Sequence, residues 1–220
     1  MNTFRKTRIP AYIAIEGPIG VGKTSLAKRL AHDFEAELIL EQPEANPFID
    51  KFYQDPKTMA LPTQLCFLFQ RSKQLKSISQ SDMFSTCRIA DFVMNKDMLF
   101  AEATLDKDEM DLYKQVHSNM TFEAPKPDLV VYLQAPYDTL LTRIQRGGKG
   151  QQKRIEPEYL KKIADTYANF FHYYDDSPLL IVNASGLDIV NNDNDYEQLK
   201  ARILEVQGGR HYFNPIPFSA

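Results

Sequence analysis

Residues 17–25 of the chain read Gly17-Pro18-Ile19-Gly20-Val21-Gly22-Lys23-Thr24-Ser25. The stretch fits the pattern G-x-x-x-x-G-K-[S/T] at every fixed position, after an apolar run that predicts a strand and before helical spacing. Its glycines let backbone N–H groups turn inward around phosphate oxygens, next to the positive end of a helix dipole. Lys23 can reach the terminal phosphates, and Thr24 can offer its hydroxyl to Mg²⁺. This phosphate loop therefore predicts a nucleoside triphosphate site, with Mg²⁺ as a further expected ligand.

Five short apolar runs are each typical of a buried strand, and they lie at residues 12–15, 38–40, 84–90, 129–133 and 179–182. The segments between them have helical spacing, with a capping-box pattern at Asp106 and Glu109 and a helix-starting proline at Pro157. Strands that alternate with helices predict a three-layer α/β fold of the P-loop nucleoside triphosphate hydrolase kind, with a five-stranded parallel sheet. We expect one domain over residues 1–220, with a lid at about 143–156 and an irregular tail at 208–220.

The overall composition excludes several classes of protein. The 220 residues include 26 Lys and Arg against 29 Asp and Glu, and the net charge of −3 argues against a strongly basic nucleic-acid binder. Two cysteines cannot form a disulfide framework, and no apolar run approaches the ~18 residues that cross a bilayer. We therefore expect a cytoplasmic protein that binds neither nucleic acid nor membrane.

Two acidic residues stand where predicted strands end. Glu41 follows the second strand and Asp91 the third, and ligands of open α/β sheets bind at the carboxyl ends of the strands. A carboxylate there can take a proton from an attacking hydroxyl, or it can hold Mg²⁺ directly or through water. The alternative, that each acid caps a helix or is simply solvated, stays open for both.

A basic cluster interrupted by glycines follows the fourth predicted strand. Such a segment is typical of a mobile lid whose arginines close over a triphosphate and neutralise charge. A solvated charge run and a nucleic-acid patch are the alternatives, and the acidic net charge disfavours the second. The basic residues are Arg143, Arg146, Lys149, Lys153 and Arg154.

Several segments, in their order and spacing, resemble the deoxynucleoside kinases, particularly the bacterial deoxyadenosine/deoxyguanosine kinase branch. The resemblance covers roughly residues 12–185. Besides the phosphate loop and the lid arginines, the matching segments are EQPEANPFIDKFYQD at 41–55, TQLCFLFQRSKQLK at 63–76 and PDLVVYLQAP at 127–136.

This resemblance implies transfer of the γ-phosphate of Mg·ATP to the 5′-hydroxyl of a deoxynucleoside, a purine one by the branch that it resembles. It also implies a homodimer, for which the helices that start near Leu61 and Asp106 offer a surface. The implied roles are Glu41 as general base, Tyr53 at the sugar 3′-hydroxyl, Gln64 and Arg71 near the base, Phe100 as a wall of the base site, and Arg143 and Arg146 over the phosphates.

One departure from the family pattern concerns charge. The family carries an acid followed by arginine at the end of the third strand, whereas this chain has Asp91 followed by Phe92. Asp91 can still hold Mg²⁺, but the cation that would contact the transferred phosphate is absent. We expect Lys96, oriented by Asp97, to replace it, and the alternative is that Lys96 is a solvated helix residue. The other candidate cations are Arg88, Arg143 and Arg146. The lid also has glutamines at 151–152 where the family has acids.

Two other functions stay open. A nucleoside monophosphate kinase on the same fold would need cations for the phosphate of its acceptor, and Arg71 and Lys73 could supply them. A nucleotide-gated switch protein would use ATP as a conformational signal, although only the aromatic tail resembles a partner-docking element. An assay with nucleosides, with nucleotides and without acceptor would separate the three functions.

Overall fold

A computed structural model describes residues 9–80, 87–120, 125–148 and 154–215 of the chain. In this part, six strands form one parallel sheet. The strands are β1 (Tyr12–Glu16), β2 (Glu37–Ile39), β3 (Arg88–Ala90), β4 (Leu129–Gln134), β5 (Leu179–Asn183) and β6 (Arg210–Phe213). Their order across the sheet is β2-β3-β1-β4-β5-β6, so the strand that leads into the phosphate loop lies near the centre.

The described residues form eight α-helices and one 3₁₀ turn, Pro43–Ala45. The predicted capping box is confirmed, because Asp106 and Glu109 exchange hydrogen bonds at the start of the fifth helix, and Pro157 opens the seventh as predicted. The helices are α1 (Lys23–Asp33), α2 (Ile49–Phe52), α3 (Pro56–Gln80), α4 (Lys96–Thr104), α5 (Lys107–Asn119), α6 (Tyr137–Gly147), α7 (Pro157–Tyr173) and α8 (Asp193–Glu205).

Side chains of β1 divide the core into two layers, because successive residues of a strand point to opposite faces. Ile13 and Ile15 pack in a cluster with apolar residues of α1, α6 and α8. Ala14 packs in the other cluster, with residues of α4 and α7. The sheet is therefore covered on both faces, and the predicted three-layer parallel α/β architecture is confirmed.

The sheet has six strands, one more than predicted, because the tail is not irregular throughout. Gly208 and Gly209 adopt positive φ angles, and the chain then pairs as β6 in parallel with β5. His211 and Phe213 are half-buried, whereas Arg210 and Tyr212 are exposed, as in an edge strand. The segment is only four residues long and its polar and apolar side chains do not alternate, so it gives a weak strand signal, which explains the wrong prediction. Residues 216–220 of the predicted tail lie outside the described part.

Two further predicted segments are described only in part. The third strand begins at Arg88, and residues 81–86, which cover the start of the predicted run, lie outside the described residues. In the predicted lid, residues 143–147 belong to α6, and residues 149–153 lie outside the described part. Within the described residues, no helix is long and apolar enough to span a membrane.

Candidate active site

A cavity of about 940 Å³ opens at the carboxyl ends of the strands. We call its two parts the phosphate end, lined by residues 19–25, Arg146 and the segment 185–191, and the acceptor end, lined by Glu41, Tyr53, Gln64, Arg71 and Phe100. Of the sequence-predicted site residues, Gly17 and Pro18 lie outside the lining. The cavity brings together Ile19, Gly20, Val21, Gly22, Lys23, Thr24, Ser25, Glu41, Tyr53, Gln64, Arg71, Asp91, Lys96, Phe100, Arg143 and Arg146.

The backbone of the phosphate loop requires glycine at two positions. Gly17 has a φ of +146° and Gly20 a φ of +83°. A Cβ atom would lie 2.3 Å from the Leu133 carbonyl oxygen at Gly17, and 2.6 Å from Ile144 Cγ1 at Gly20. The loop is thus pressed against β4 and α6. Gly22 precedes α1 without a side-chain cap, so the first N–H groups of this helix remain available to phosphate oxygens.

Lys23 closes the phosphate loop on itself. Its Nζ donates hydrogen bonds to the carbonyl oxygens of Gly17 at 2.7 Å and Pro18 at 3.2 Å. Burial, reinforced by the positive charge of Lys96, lowers the pKa of Lys23 to about 8. At neutral pH the ammonium is therefore charged and hydrogen-bonded only to carbonyl oxygens, so a bound phosphate can attract it.

Asp91 connects the phosphate loop with the acceptor end. Its Oδ2 accepts the Thr24 hydroxyl at 2.6 Å, and its Oδ1 accepts the backbone N–H of Glu41 at 2.8 Å. The alternative of a solvated or helix-capping acid is therefore wrong for Asp91. A hydroxyl beside a carboxylate is a set of hard oxygen donors, which is what Mg²⁺ prefers together with substrate phosphates. Thr24 and Asp91 thus fit the predicted metal.

Glu41 is the most strongly paired acid of the cavity. Its Oε2 accepts Lys96 Nζ at 2.6 Å, and its Oε1 accepts a guanidinium N–H of Arg71. Burial alone raises the pKa of Glu41, but Lys96 and Arg71 outweigh it and hold this pKa at about 2. Glu41 is consequently a carboxylate over the whole physiological range, and it is neither a helix cap nor simply solvated.

Lys96 lies in the site, although Asp97 does not orient it as predicted. Only 4% of Lys96 is exposed, so the alternative of a solvated helix residue is wrong. Asp97 is buried and pairs with the second guanidinium nitrogen of Arg71. Consecutive residues of a helix point about 100° apart, so one neighbour faces Glu41 and the other faces Arg71. The result is a chain of alternating charges from Lys96 through Glu41 and Arg71 to Asp97.

Polar and aromatic side chains complete the acceptor end. Gln64 is 2% exposed, and its amide makes no hydrogen bond with another described residue, which leaves its donor and acceptor free for a ligand. Burial, with the charge of Glu41, raises the pKa of Tyr53 to about 12. Tyr159 of α7 lies edge-on to Phe52 at 5.6 Å, and burial raises its pKa well above the usual range. Both tyrosine hydroxyls therefore stay protonated and able to donate.

Sequence reasoning missed two residues that shape the site, Tyr159 and Glu16, and misassigned a third, Asp97. Tyr159 lines the cavity from a helix far along the chain, and Asp97 was assigned the wrong partner. Glu16, directly before the phosphate loop, is fully buried and accepts the backbone N–H of Gly17. The signal that could have found Glu16 is an acid at the end of an otherwise apolar strand, immediately before the loop.

The two lid arginines differ in position. Arg143 donates to the carbonyl oxygens of Ala184 at 2.7 Å, Leu187 at 2.8 Å and Val21 at 3.2 Å. It therefore fastens α6 to the phosphate loop and to the segment after β5, and it does not stand on a free flap as predicted. Arg146 is exposed and lines the phosphate end. The reason is that α6 continues to Gly147, so both arginines belong to a regular helix.

Comparison with known proteins identifies similar chains. The family model described as deoxynucleoside kinase matches residues 13–206. A deoxyguanosine kinase of Bacillus subtilis is 35% identical over 200 residues, which cover 89% of this chain and 97% of that protein.

Two solved structures of a deoxyadenosine kinase from M. mycoides are also similar. The first, with dCMP and dCDP bound, gives a TM-score of 0.78 at 25% identity and covers 89% of this chain and 100% of that one. The second, with dATP bound, gives a TM-score of 0.77 at 26% identity and covers 88% of this chain and 98% of that one. The predicted resemblance is thus confirmed.

Proposed function

Because this chain belongs to the deoxynucleoside kinase family, we propose that it transfers the γ-phosphate of Mg·ATP to the 5′-hydroxyl of a purine deoxynucleoside. One observation carries the proposal. An ionised Glu41 and Lys23 of the phosphate loop line the same cavity, and Asp91 links their two loops through Thr24. The purine preference is supported by the deoxyguanosine and deoxyadenosine kinases among the similar proteins.

The donor ATP binds at the phosphate end in this proposal. Backbone N–H groups at the start of α1 and the Lys23 ammonium face its phosphates, and Arg146 adds a cation from α6. Thr24 and Asp91 would hold Mg²⁺, which would neutralise charge on the phosphate oxygens. Arg143 acts here by fixing the loop, since its guanidinium already bonds three carbonyl oxygens.

Glu41 accepts the proton of the 5′-hydroxyl. A pKa of about 2 makes it a weak base, but it also keeps the group fully ionised. Phosphoryl transfer passes through a loose transition state in which positioning and charge stabilisation dominate, so a weak and well-placed base is sufficient. Lys96, bonded to the same carboxylate, stands where it can stabilise the transferred phosphate in place of the absent arginine.

The nucleoside binds at the acceptor end. The free amide of Gln64 pairs with the base edge, since an amide offers a donor and an acceptor side by side. Phe100 forms a wall for the base and Tyr53 donates to the sugar 3′-hydroxyl. Arg71, bonded to both Glu41 and Asp97, holds the acceptor end together near the base.

The proposal also covers assembly, location and domain organisation. Phe69 of α3 and Leu112 of α5 are 54% and 48% exposed, on helices that pack together, and they support a homodimer through this face. Analytical sedimentation tests the homodimer: we expect Phe69→Lys to sediment as a monomer and Tyr173→Lys, on α7, to sediment as wild type does.

Free thiols at Cys66 and Cys87 support a cytoplasmic location. We also propose that residues 1–220 belong to one domain.

The decisive experiment is a coupled ATPase assay with a panel of acceptors. We expect turnover with deoxyguanosine or deoxyadenosine and none without acceptor or with deoxynucleoside monophosphates. A monophosphate kinase would need unpaired cations at the acceptor end, whereas Arg71 is already bonded to two carboxylates and Lys73 is exposed outside the cavity lining. Turnover with monophosphates alone would contradict the proposal, and acceptor-independent ATP hydrolysis would favour a switch protein.

A further inference from the structure

Glu16, the last residue of β1, carries a fully buried carboxylate. Because side chains alternate along a strand, it points to the same face as Ala14, the face that α4 and α7 cover. Its Oε2 accepts the Gly17 N–H at 3.0 Å and the Tyr167 hydroxyl at 2.9 Å, and its Oε1 accepts the Val93 N–H at 2.9 Å. A carboxylate among apolar side chains is strongly unfavourable without such bonds. The three donors are therefore needed to stabilise the buried carboxylate of Glu16.

These donors belong to three separate parts of the site. Gly17 is the first residue of the phosphate loop, and Val93 lies between Asp91 and Lys96 on the segment that joins β3 to α4. Tyr167 belongs to α7, the helix that also brings Tyr159 to the acceptor end. The Glu16 side chain thus bonds to the phosphate loop, to the segment between Asp91 and Lys96, and to α7.

The ring of Tyr167 extends this connection to the acceptor end. It lies edge-on to Phe100, with centroids 6.1 Å apart and planes at 85°, and Phe100 lines the cavity. The ring also stacks with Tyr132 at 6.4 Å and Phe171 at 6.2 Å. The hydroxyl of Tyr167 therefore contacts the residue that precedes the phosphate loop, while its ring supports the wall of the base site.

The charge of Glu16 is also felt at Lys23. Burial and the charge of Lys96 lower the pKa of Lys23 to about 8, and Glu16 is the first of three carboxylates that oppose this lowering. A negative charge next to the loop thus helps to keep the ammonium protonated, although Glu16 itself does not line the cavity. Glu16 can therefore affect a ligand through the three groups that it bonds and through its charge at Lys23.

We propose that Glu16 is a positioning residue, which sets the phosphate loop relative to the β3–α4 segment and to the base wall through its bonds to Gly17, Val93 and Tyr167. It touches none of the reacting groups. Losing one of its bonds changes the distance between the phosphate loop and Lys96, and therefore the rate of transfer more than the affinity for nucleoside. The kinetic part of this inference rests on the proposed kinase function, and the backbone part does not.

The test compares Tyr167→Phe with Tyr132→Phe. Both remove one hydroxyl from the same ring stack, but only the hydroxyl of Tyr167 bonds to Glu16. Hydrogen bonds to charged groups are the strong ones, so we expect kcat to fall about tenfold in Tyr167→Phe, with the KM for nucleoside within about twofold. Amide hydrogen exchange at Gly17 and Val93 should accelerate about tenfold in this variant and stay unchanged in Tyr132→Phe.

Equal changes in both variants, or unchanged exchange and kcat in Tyr167→Phe, would overturn the positioning role. If the wild-type protein phosphorylates no nucleoside, the proposed function fails, and the exchange comparison alone still decides the role of Glu16. If Tyr167→Phe does not fold, Glu16→Gln takes its place, because the amide keeps the size and one acceptor but turns a donor toward a donor. If neither folds while Tyr132→Phe does, Glu16 is a stabilising residue only and the inference is wrong.

Discussion

At the phosphate end of the cavity the binding groups come mainly from one continuous stretch, residues 19–25, whereas the acceptor end takes its side chains from five separate parts of the fold. The phosphate end depends on the backbone conformation of this stretch, whose glycines pack closely against β4 and α6. The acceptor end depends on contacts between residues far apart in the sequence, such as the ion pair between Glu41 after β2 and Lys96 of α4. A local sequence pattern therefore predicts the phosphate end, whereas the acceptor end depends on how distant segments come together in the fold.

The two ends also differ in how their charges are balanced. Lys23 bonds carbonyl oxygens and no carboxylate, so its removal leaves no acid without a partner. At the acceptor end, Lys96, Glu41, Arg71 and Asp97 alternate in sign along one chain of ion pairs. Removing one member there leaves a buried charge unpaired, which is strongly destabilising. We expect changes at the phosphate end to affect catalysis alone, and changes at the acceptor end to affect catalysis and stability together.

The largest expected effect is that of Lys23→Ala at the phosphate end. Loss of the cation that faces the phosphates should lower kcat/KM for ATP by about 10³-fold, the upper range for one donor to developing charge. The melting temperature should stay close to wild type. Lys28→Ala, an exposed lysine of the same helix, is the matched control and should behave as wild type in both measurements. Normal turnover in Lys23→Ala would remove the loop from the mechanism.

Glu41→Gln should act at both levels. We expect kcat to fall about 10²-fold, the lower range for a general base, because a carboxylate with a pKa of about 2 is a weak base. Lys96 and Arg71 would lose their ionised partner, at a cost of about 1–3 kcal/mol in the free energy of unfolding. Steady-state kinetics and thermal unfolding measure the two effects, with the exposed Glu44→Gln as control. A collapse of nucleoside binding at constant kcat would make Glu41 a binding residue instead.

Lys96→Ala should lower kcat at least about tenfold, because it removes a positive charge beside the transferred phosphate. The same change should raise the pKa of Glu41, since Lys96 is its main opposing charge. Protonation would then inactivate the base as the pH falls toward the ordinary range of a glutamate, so an acidic limb should appear in the pH profile of kcat that wild type lacks. Lys73→Ala, on an exposed position of α3, should leave the profile unchanged. A wild-type profile in Lys96→Ala would separate Lys96 from catalysis.

The smallest expected effect is that of Tyr53→Phe. One hydrogen bond contributes about 0.5–1.5 kcal/mol, so wild type should prefer a substrate with a 3′-hydroxyl over its 3′-deoxy analogue by about 2–10-fold. Tyr53→Phe should largely lose this preference, measured as the ratio of kcat/KM values. Tyr173→Phe, which removes an exposed hydroxyl on α7, should keep it. Equal preferences in Tyr53→Phe and wild type would place the sugar contact elsewhere.

The sequence predicted the central strands, the phosphate loop and Glu41 because each depends on neighbouring residues: an apolar run, a glycine pattern, or an acid at a strand end. It could not predict partners across the fold. In the sequence, Lys96 and Asp97 are simply two adjacent charged residues at the start of a helix. Only the orientation of that helix in the fold directs Asp97 to Arg71 and Lys96 to Glu41. Arg143 looks like a lid arginine until three carbonyl oxygens surround its guanidinium.

The surroundings of Phe92 are another feature that the sequence does not predict. The sequence indicates only that an aromatic residue stands where the family has an arginine. In the structure its ring is fully buried in the cluster that includes Leu99 and Tyr167, with the Arg71 guanidinium 5.4 Å from the ring centre. The position therefore contributes to the core in this chain, and the cations at Glu41 are Arg71 and Lys96, the latter four residues further along at the start of α4.

The strand order also governs how the sheet can form as the chain leaves the ribosome. β2, β3 and β1 can pair early, but the other edge of β1 has no partner until residue 134 has been made. At about 5–20 residues per second, this apolar edge waits a few seconds, during which chaperones and misassociation compete for it. β4, β5 and β6 then join at that edge in order of synthesis. Because the cavity needs residues from Ile19 to Asn191, ATP can stabilise the nascent protein only after residue 191 has been made.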